Sequence, residues 1–421
     1  MPTRTARPRK VADGHIRSIT TREETMLIDL AGAVAATSGG KAAVLGRLLR
    51  AGLPVPLGFV VPTSAYGQAV AGLDLSDAGA ARQLILRAPS APALVDEIAQ
   101  ALVRLDGRPV AVRSSATSED TAEATAAGQH DTFLGVIGAD RVADAVRSCW
   151  ASVWSERAVE YRRRRAADAG HPAMAVLVQQ LVDAEVAGVT FTGSDIRIEG
   201  SWGLGESIVG GQVTPDSWTV SGDAVTHRSL GEKAVRADRQ GGEVITRKVD
   251  IADRSRFCLS DEEVLRLASL GRETARLLQG PQDIEWAIAE GRIWLLQARP
   301  ITSALPDTAS SATGDTTALT GTPGSPGIAR GPVRLVHGPG DFGRVHTGDV
   351  LVCRTTDPAW TPLFGVVAAV VTETGGMLSH AAIVAREQGL PAVLAVREAM
   401  TALPDNAMVE VDGSAGRITL L

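Results

Sequence analysis

Apolar positions recur with helical spacing in several stretches of the N-terminal part of the chain. Between them lie shorter apolar runs that end at glycine, proline or polar residues, as strands do. The helical stretches are residues 42–51, 92–105, 143–165 and 261–278. The strand-like runs are residues 110–113, 175–182, 186–192, 283–289 and 293–298. Helices that alternate with strands in this way predict an α/β or α+β body.

The pattern stops at Thr302, where residues 302–322 contain almost no large apolar side chain and have the small, polar composition of a linker. Beyond them, the strand-like segments GSPGIARGPVRLV and VEVDGSAGRITLL enclose a helix predicted over 379–387. We therefore predict a multidomain chain. Its parts are a flexible tail (1–25), a first domain (26–301), a linker (302–322) and a smaller second domain (323–421).

Composition and charge narrow the class of protein. The 421 residues are 44% hydrophobic and 21% charged, as in a globular protein with more than one domain. A formal net charge of -6 argues against a nucleic-acid partner. There is neither an apolar run long enough to cross a bilayer nor the apolar core of a signal peptide. The three cysteines have no disulfide or zinc spacing, so we expect a cytoplasmic protein without a membrane partner.

His380 begins the predicted helix of the second domain, shortly after the paired glycines Gly375 and Gly376. Unpaired backbone N–H groups at a helix start favour a bound phosphate, and the helix dipole favours the neutral imidazole, which is the nucleophilic form. The glycines allow the backbone to approach a reacting phosphate closely. Taken alone, these residues still fit a histidine that merely starts a helix.

Two segments of the first domain carry cationic side chains beside small, flexible residues. Lys41 follows two glycines at a helix start, where an ammonium and free N–H groups can meet phosphates. Arg113 ends a strand and precedes the small residues Ser114, Ser115 and Ala116, whose loop can fold over a triphosphate. A polar surface turn is the alternative for each.

The hairpin QDIEWAIAEGRIWLLQARPIT places Glu285 and Gln297 on the same side of adjacent strands, with Arg299 two residues further on. Carboxylate and amide oxygens are ligands that Mg²⁺ accepts while it keeps waters and phosphates as its other ligands. Arg299 would then neutralise a terminal phosphate. The alternative is a solvated hairpin face.

Two resemblances favour the chemical interpretation. TETGGMLSHAAIVAREQGLPAV resembles the phosphohistidine signature of the phosphoenolpyruvate-utilising enzymes. The segments around Lys41, Arg113 and Glu285, together with CWASVWSERAVEYR, AVLVQQLVDAEVAGVTFT and WGLGESIVGGQVTPD, resemble in order the ATP-grasp domain of the same family over about residues 26–301. That family comprises phosphoenolpyruvate synthase, pyruvate phosphate dikinase and rifampicin phosphotransferase. The resemblance implies an ATP-grasp domain followed by a small swivelling β/α phosphohistidine domain.

Carried over position by position, the resemblance implies a function for each matching residue. His380 is the phosphoryl carrier, and Arg113 and Arg299 assist catalysis. The ATP-binding residues implied are Lys41, Arg113, Gln179, Val182 and Arg299. The implied Mg²⁺ ligands are Glu285, Gln297 and Asp283.

The implied reaction is phosphorylation of His380 by ATP, with release of AMP and phosphate, followed by transfer to a small-molecule acceptor. The chain departs from the family pattern at two points that concern transfer of the phosphoryl group to the acceptor. Leu378 stands where the family usually has threonine, and the sequence contains no counterpart of the family's large substrate domain. A phosphocarrier whose acceptor site lies on a separate subunit is therefore an alternative. An ATP-grasp ligase, or a relic without activity, is a third.

Overall fold

The structure is a computed structural model, and it describes residues 26–116, 132–156, 158–159, 162, 172–301 and 318–421. The predicted tail (1–25) lies outside the described residues. So do most of the predicted linker and most of the last third of the helix predicted over 143–165.

The first part of the chain forms an antiparallel sheet with the strand order β1-β2-β5-β3-β4. Its strands are β1 (Ile28–Asp29), β2 (Gly58–Val61), β3 (Val110–Ala116), β4 (Thr132–Val136) and β5 (Met174–Gln180). The helices are α1 (Ala35–Arg50), α2 (Thr63–Ala69), α3 (Ala78–Arg87), α4 (Pro92–Arg104) and α5 (Ala139–Ser152). Side chains such as Ile98, Val146 and Val178 form a shared core, which fixes the helices against the sheet.

A second antiparallel sheet follows, with the strand order β13-β12-β6-β7-β8-β9. Its strands are β6 (Val186–Phe191), β7 (Ile196–Trp202), β8 (Asp216–Ser221), β9 (Ala224–Ser229), β12 (Gln282–Ala289) and β13 (Arg292–Pro300). A separate hairpin joins β10 (Val235–Gln240) to β11 (Glu243–Lys248). The helices are α6 (Glu206–Val209), α7 (Ile251–Arg254) and α8 (Asp261–Leu278).

One face of the second sheet is covered by α8, which begins at Ser260 with a capping box to Glu263. Ile284, Trp286 and Ile288 lie in the core on this side. Because side chains alternate along a strand, Asp283 and Glu285 lie on the opposite face. That opposite face is the one that bears the candidate site.

The C-terminal part forms a third sheet with the strand order β14-β21-β20-β16-β17-β18-β19-β15, in which β16 to β19 are parallel. Its strands are β14 (Ala318–Thr320), β15 (Thr322–Ser325), β16 (Ile328–Leu335), β17 (Val350–Cys353), β18 (Ala369–Thr372), β19 (Ala392–Leu394), β20 (Met408–Asp412) and β21 (Arg417–Leu420). The helices are α9 (Thr361–Phe364), α10 (His380–Gln388) and α11 (Ala399–Ala402). Short 3₁₀ helices occur at Leu30–Gly32, Pro339–Arg344 and Pro358–Trp360.

The fold is the mixed α/β and α+β architecture that the sequence predicts. One local difference is at the predicted linker, whose described residues include β14, paired with β21, and Thr322, the first residue of β15. None of the helices in the described part of the chain combines the length and apolar character that crossing a membrane requires.

Candidate active site

A cavity of about 400 Å³ opens between the first two sheets, a size typical of small-molecule sites. Lys41 and Arg113 line it from the first sheet and its helix α1, and Glu285, Gln297 and Arg299 line it from the β12–β13 hairpin. The fold thus brings together five residues that are far apart in the sequence.

Lys41 reaches the cavity because helix α1 is broken at Gly39, which has a φ of 74° and a ψ of 171°. A Cβ at Gly39 would lie 2.0 Å from the carbonyl oxygen of Ser115, so only glycine fits this contact. The backbone N–H of Ala42 donates to Oγ of Ser115 at 3.2 Å. The restarted helix and the end of β3 therefore meet beside Lys41, which places the start of this helical segment at the cavity wall.

Arg113 is anchored at the cavity wall by a bond from Nη1 to the carbonyl oxygen of Leu296 (3.0 Å). Glu206, at the start of α6, lines the same cavity. Burial raises the pKa of the Glu206 carboxyl, and the nearby Arg113 guanidinium opposes that rise. We did not assign Glu206 from the sequence, because the glycine-rich segment that carries it has no distinctive spacing of polar residues.

Glu285 and Gln297 are register partners on β12 and β13, and Nε2 of Gln297 donates to Oε1 of Glu285 at 3.1 Å. Their remaining donor atoms are a carboxylate oxygen and an amide oxygen at the cavity wall, which suit a hard cation such as Mg²⁺. Within the described residues, no group of three or more His, Cys, Asp and Glu side chains is arranged to hold a metal. The donor set therefore fits an ion that takes most of its ligands from phosphates and water.

Asp283 pairs with Arg299, whose Nε donates to Oδ2 at 2.9 Å. The other oxygen, Oδ1, is buried and has no hydrogen-bond partner within the described residues. Asp283 lies behind Arg299 rather than on the cavity wall. This geometry orients the guanidinium, and the predicted contact between Asp283 and a metal ion stays a prediction.

Gln179 and Val182 also line the cavity, at the end of β5. The Gln179 side chain is buried and donates from Nε2 to the carbonyl oxygen of Pro56 at 2.9 Å. This bond holds β5 against the turn before β2. The side-chain amide of Gln179 therefore has a structural role.

His380 is the first residue of α10, and the hydroxyl of Ser379 caps the helix by accepting from the N–H of Ala382. The imidazole is only 8% exposed. Oγ1 of Thr356 lies 2.8 Å from Nδ1, and Oγ1 of Thr361 lies 3.2 Å from Nε2. Two hydroxyls therefore fix the ring orientation. The sequence gives no local signal for either hydroxyl, since Thr356 and Thr361 are distant from His380 in the chain.

The segment before His380 packs directly against the second sheet. Met377, Leu378 and Ile383 form an apolar cluster with Val189 and Phe191 of β6. Leu378 and Ile383 also belong to the wall of the cavity that Lys41 and Arg113 line. His380 itself is beside this wall rather than in it, so the histidine helix begins at the edge of the cavity.

Two family models match the chain. Residues 35–318 match the pyruvate phosphate dikinase, AMP/ATP-binding domain, and residues 345–416 match the mobile domain of PEP-utilising enzymes. The chain is 38% identical to a probable phosphoenolpyruvate synthase of Methanothermobacter thermautotrophicus, across 90% of this chain and 61% of the relative. It is 36% identical to a probable phosphoenolpyruvate synthase of Archaeoglobus fulgidus (90% and 55%). It is 33% identical to the phosphoenolpyruvate synthase of Pyrococcus furiosus (90% and 56%).

These matches cover both halves of the structure, the half that forms the cavity and the half that carries His380. The chain spans 55–61% of the length of these three relatives.

Proposed function

Because the chain belongs to the pyruvate phosphate dikinase family of proteins with an ATP-binding domain and a PEP-utilising mobile domain, we propose that it is an ATP-dependent phosphotransferase. ATP phosphorylates His380 with release of AMP and phosphate, and the phosphohistidine then donates to a small-molecule acceptor. One observation carries this proposal most directly. Leu378, two residues before His380, lines the same cavity as Lys41, Arg113 and Arg299.

The cationic residues of the cavity bind and orient the polyphosphate. Lys41 and Arg113 neutralise phosphate oxygens, and Arg299, oriented by Asp283, contacts the terminal phosphate; all three cationic residues line the same cavity, which supports these roles. Phosphoryl transfer depends chiefly on such positioning and charge stabilisation. Bound Mg²⁺, held by Glu285 and Gln297, would add positive charge next to the transferring group.

His380 is the nucleophile of this scheme. Its place at the start of α10 favours the neutral imidazole, and the hydroxyls of Thr356 and Thr361 hold the ring in one orientation. A covalent phosphohistidine divides one difficult transfer into two easier ones. An ATP-grasp ligase has no use for this arrangement, which disfavours that alternative.

The relatives are named phosphoenolpyruvate synthases, so pyruvate is the first small molecule to test. The alternative is a phosphocarrier whose acceptor site lies on a separate subunit. We also propose a cytoplasmic location, because the cysteines Cys149, Cys258 and Cys353 are free and buried, as is usual in a reducing compartment.

Labelling with ATP tests the proposal. ATP labelled at the β-phosphate should label wild-type protein with AMP release, and ATP labelled at the γ-phosphate should release its label to solution. His380→Ala should abolish the protein label while ATP still binds. Glu285→Gln and Arg299→Gln should each reduce labelling at least about a hundredfold.

Glu290→Gln, at the exposed tip of the same hairpin, is the matched control and should label normally. Labelling that persists in His380→Ala, or AMP formation that does not require His380, would contradict the proposal. Label that leaves the protein only when a second protein is added would identify the phosphocarrier alternative.

A further inference from the structure

Glu199 lies on β7, at the contact between the second sheet and the His380 segment. Both carboxylate oxygens accept hydrogen bonds from the backbone N–H of Met377, at 2.9 Å each. Glu199 is only 4% exposed, although it carries an ionisable group. A buried carboxylate needs such donors to offset its lost hydration. Its principal partner is thus a peptide group three residues before His380.

Glu199 also lies in line with the candidate metal residues. The strand registers pair Glu199 with Val189, Val189 with Glu285, and Glu285 with Gln297. Directly paired residues of antiparallel strands project from the same face of the sheet. This face therefore carries a row of four side chains that runs from the cavity to the contact with Met377: Gln297, Glu285, Val189 and Glu199.

The fit around Glu199 is close enough to define a docking position. A Cβ at Gly376 would lie 2.4 Å from Oε2 of Glu199 and 2.8 Å from Cγ of Pro215, so a larger residue there would force either the Glu199 carboxylate or the segment to shift. Beside it, Thr374 Oγ1 donates to the carbonyl oxygen of Gly211 at 2.6 Å, and Thr355 Oγ1 donates to that of Gly210 at 3.1 Å. These contacts all join the C-terminal part of the chain to the second sheet and the loop after α6.

The peptide groups of Met377 are held from two directions. Glu199 accepts from its N–H, while Nη2 of Arg386, on α10, donates to its carbonyl oxygen at 2.7 Å. Arg386 also donates from Nη1 to the carbonyl oxygen of Gly324 at 2.9 Å. Arg386 therefore fixes the segment within its own domain, and Glu199 fixes it to the ATP-binding half.

We propose that Glu199 is a positioning residue that docks the His380 segment on the ATP-binding half by accepting the Met377 N–H, and so sets the histidine at the edge of the nucleotide cavity. The effect of this contact on the phosphorylation of His380 rests on the proposed function. The docking contact itself does not depend on it.

Three variants test the proposal. Glu199→Met has a similar volume but no acceptor for the Met377 N–H, and Glu199→Gln keeps one acceptor oxygen. We expect the rate of His380 labelling by ATP to fall at least about tenfold in Glu199→Met, with ATP affinity unchanged, and the Gln variant to lie between Met and wild type. Glu243→Gln, at an exposed position of β11, is the control for loss of a carboxylate.

Hydrogen exchange supplies a measurement that needs no enzymatic activity. In Glu199→Met, the Met377 amide should exchange at least about tenfold faster than in wild type. Amides in the middle of α10 should be unchanged, which separates lost docking from a damaged fold.

The outcomes are distinct. If Glu199→Met labels His380 at the wild-type rate, or if the Gln variant is as impaired as the Met variant, the positioning role is wrong. If wild-type protein is never labelled, the proposed function fails. In that case the exchange of the Met377 amide still decides the docking contact, and unchanged exchange in Glu199→Met overturns it.

Discussion

Glu199, which is buried, and Arg386, which is partly buried, are charged residues on opposite sides of the contact between the two halves of the chain. Burial raises the pKa of Glu199 to about 7, although the Met377 N–H and Arg386 oppose the rise, and Asp283 adds to it. Burial lowers the pKa of Arg386 to about 10, against the attraction of Asp283 and Glu199. Desolvation thus outweighs the favourable contacts for both groups.

The raised pKa of Glu199 makes the stability of the protein depend on pH. Folded Glu199 holds a proton up to about pH 7, whereas its unfolded value is 4.5. The contribution of Glu199 is therefore greatest below the unfolded pKa and is lost as pH rises through the folded pKa. Between about pH 5 and about pH 8, the free energy of unfolding should decrease in both proteins. We expect the decrease to be about 1–3 kcal/mol larger in wild type than in Glu199→Gln. Urea denaturation across this range measures the difference, and parallel curves would contradict it.

Leu378 occupies a position where a hydroxyl would be unfavourable. It is 2% exposed and packs with Val189 and Phe191. Leu378→Thr, which restores the residue usual in the family, would bury a hydroxyl in an apolar cluster and lose apolar contact. We expect it to lower the free energy of unfolding by about 1–3 kcal/mol in urea denaturation. Leu84→Thr, at a 40% exposed position of α3, should cost about 0.5 kcal/mol, and an equal loss in the two variants would contradict this explanation.

At the scale of elements, strong periodicity predicted the structure well. The helix expected over 261–278 is α8 with the same bounds, and the helix expected over 379–387 is α10, shifted by one residue at each end. The hairpin expected over 283–298 is β12 and β13. Helix α1 begins seven residues before the predicted 42–51, because the turn before Gly39 is also helical. Helices α2 and α3 were not predicted, since their apolar faces are short.

The break in α1 is an element-scale feature with a measurable consequence. Gly39→Ala would place a methyl group 2.0 Å from the Ser115 carbonyl oxygen, in a backbone conformation with positive φ. We expect a loss of stability of at least about 2 kcal/mol and weaker ATP binding, because Lys41 would move with the restarted helix. Thermal unfolding and calorimetric titration measure these effects.

Gly52→Ala is the matched control, because Gly52 also has a positive φ, of 83°, but no atom lies within 4 Å of the added methyl group. It should cost only about 1 kcal/mol of backbone strain and leave ATP binding unchanged. Equal effects of the two substitutions would show that strain at Gly39, rather than its contact with β3, determines the result.

At the scale of the whole molecule, the half that carries His380 lies against the half that forms the cavity. An added Cβ at Gly211 would lie 2.8 Å from Oγ1 of Thr355, so cysteines at these two positions would be close enough to join the halves by a disulfide. The native cysteines Cys149, Cys258 and Cys353 are buried and should not interfere. The positive φ of Gly211, 64°, adds a cost of about 1–2 kcal/mol.

We expect the oxidised Gly211→Cys/Thr355→Cys protein to be labelled at His380 by ATP as fully as its reduced form, because the docked arrangement is the one that faces the nucleotide cavity. Each single variant, treated with the same oxidant, controls for the substitutions. Loss of labelling on oxidation, recovered with a reductant, would show that His380 accepts the phosphoryl group in a different arrangement of the two halves.

The sequence by itself determined the order of the elements, the change of composition at residue 302, and the candidate residues Lys41, Arg113, Glu285, Gln297, Arg299 and His380. Periodicity and local motifs carry this information because they depend on neighbours in the chain. Only the tertiary structure decided that Asp283 orients Arg299, that Thr356 and Thr361 hold the imidazole, and that Glu199 binds the peptide N–H before His380. These contacts join residues that strand register and domain packing bring together, and an isolated sequence carries no local signal for either.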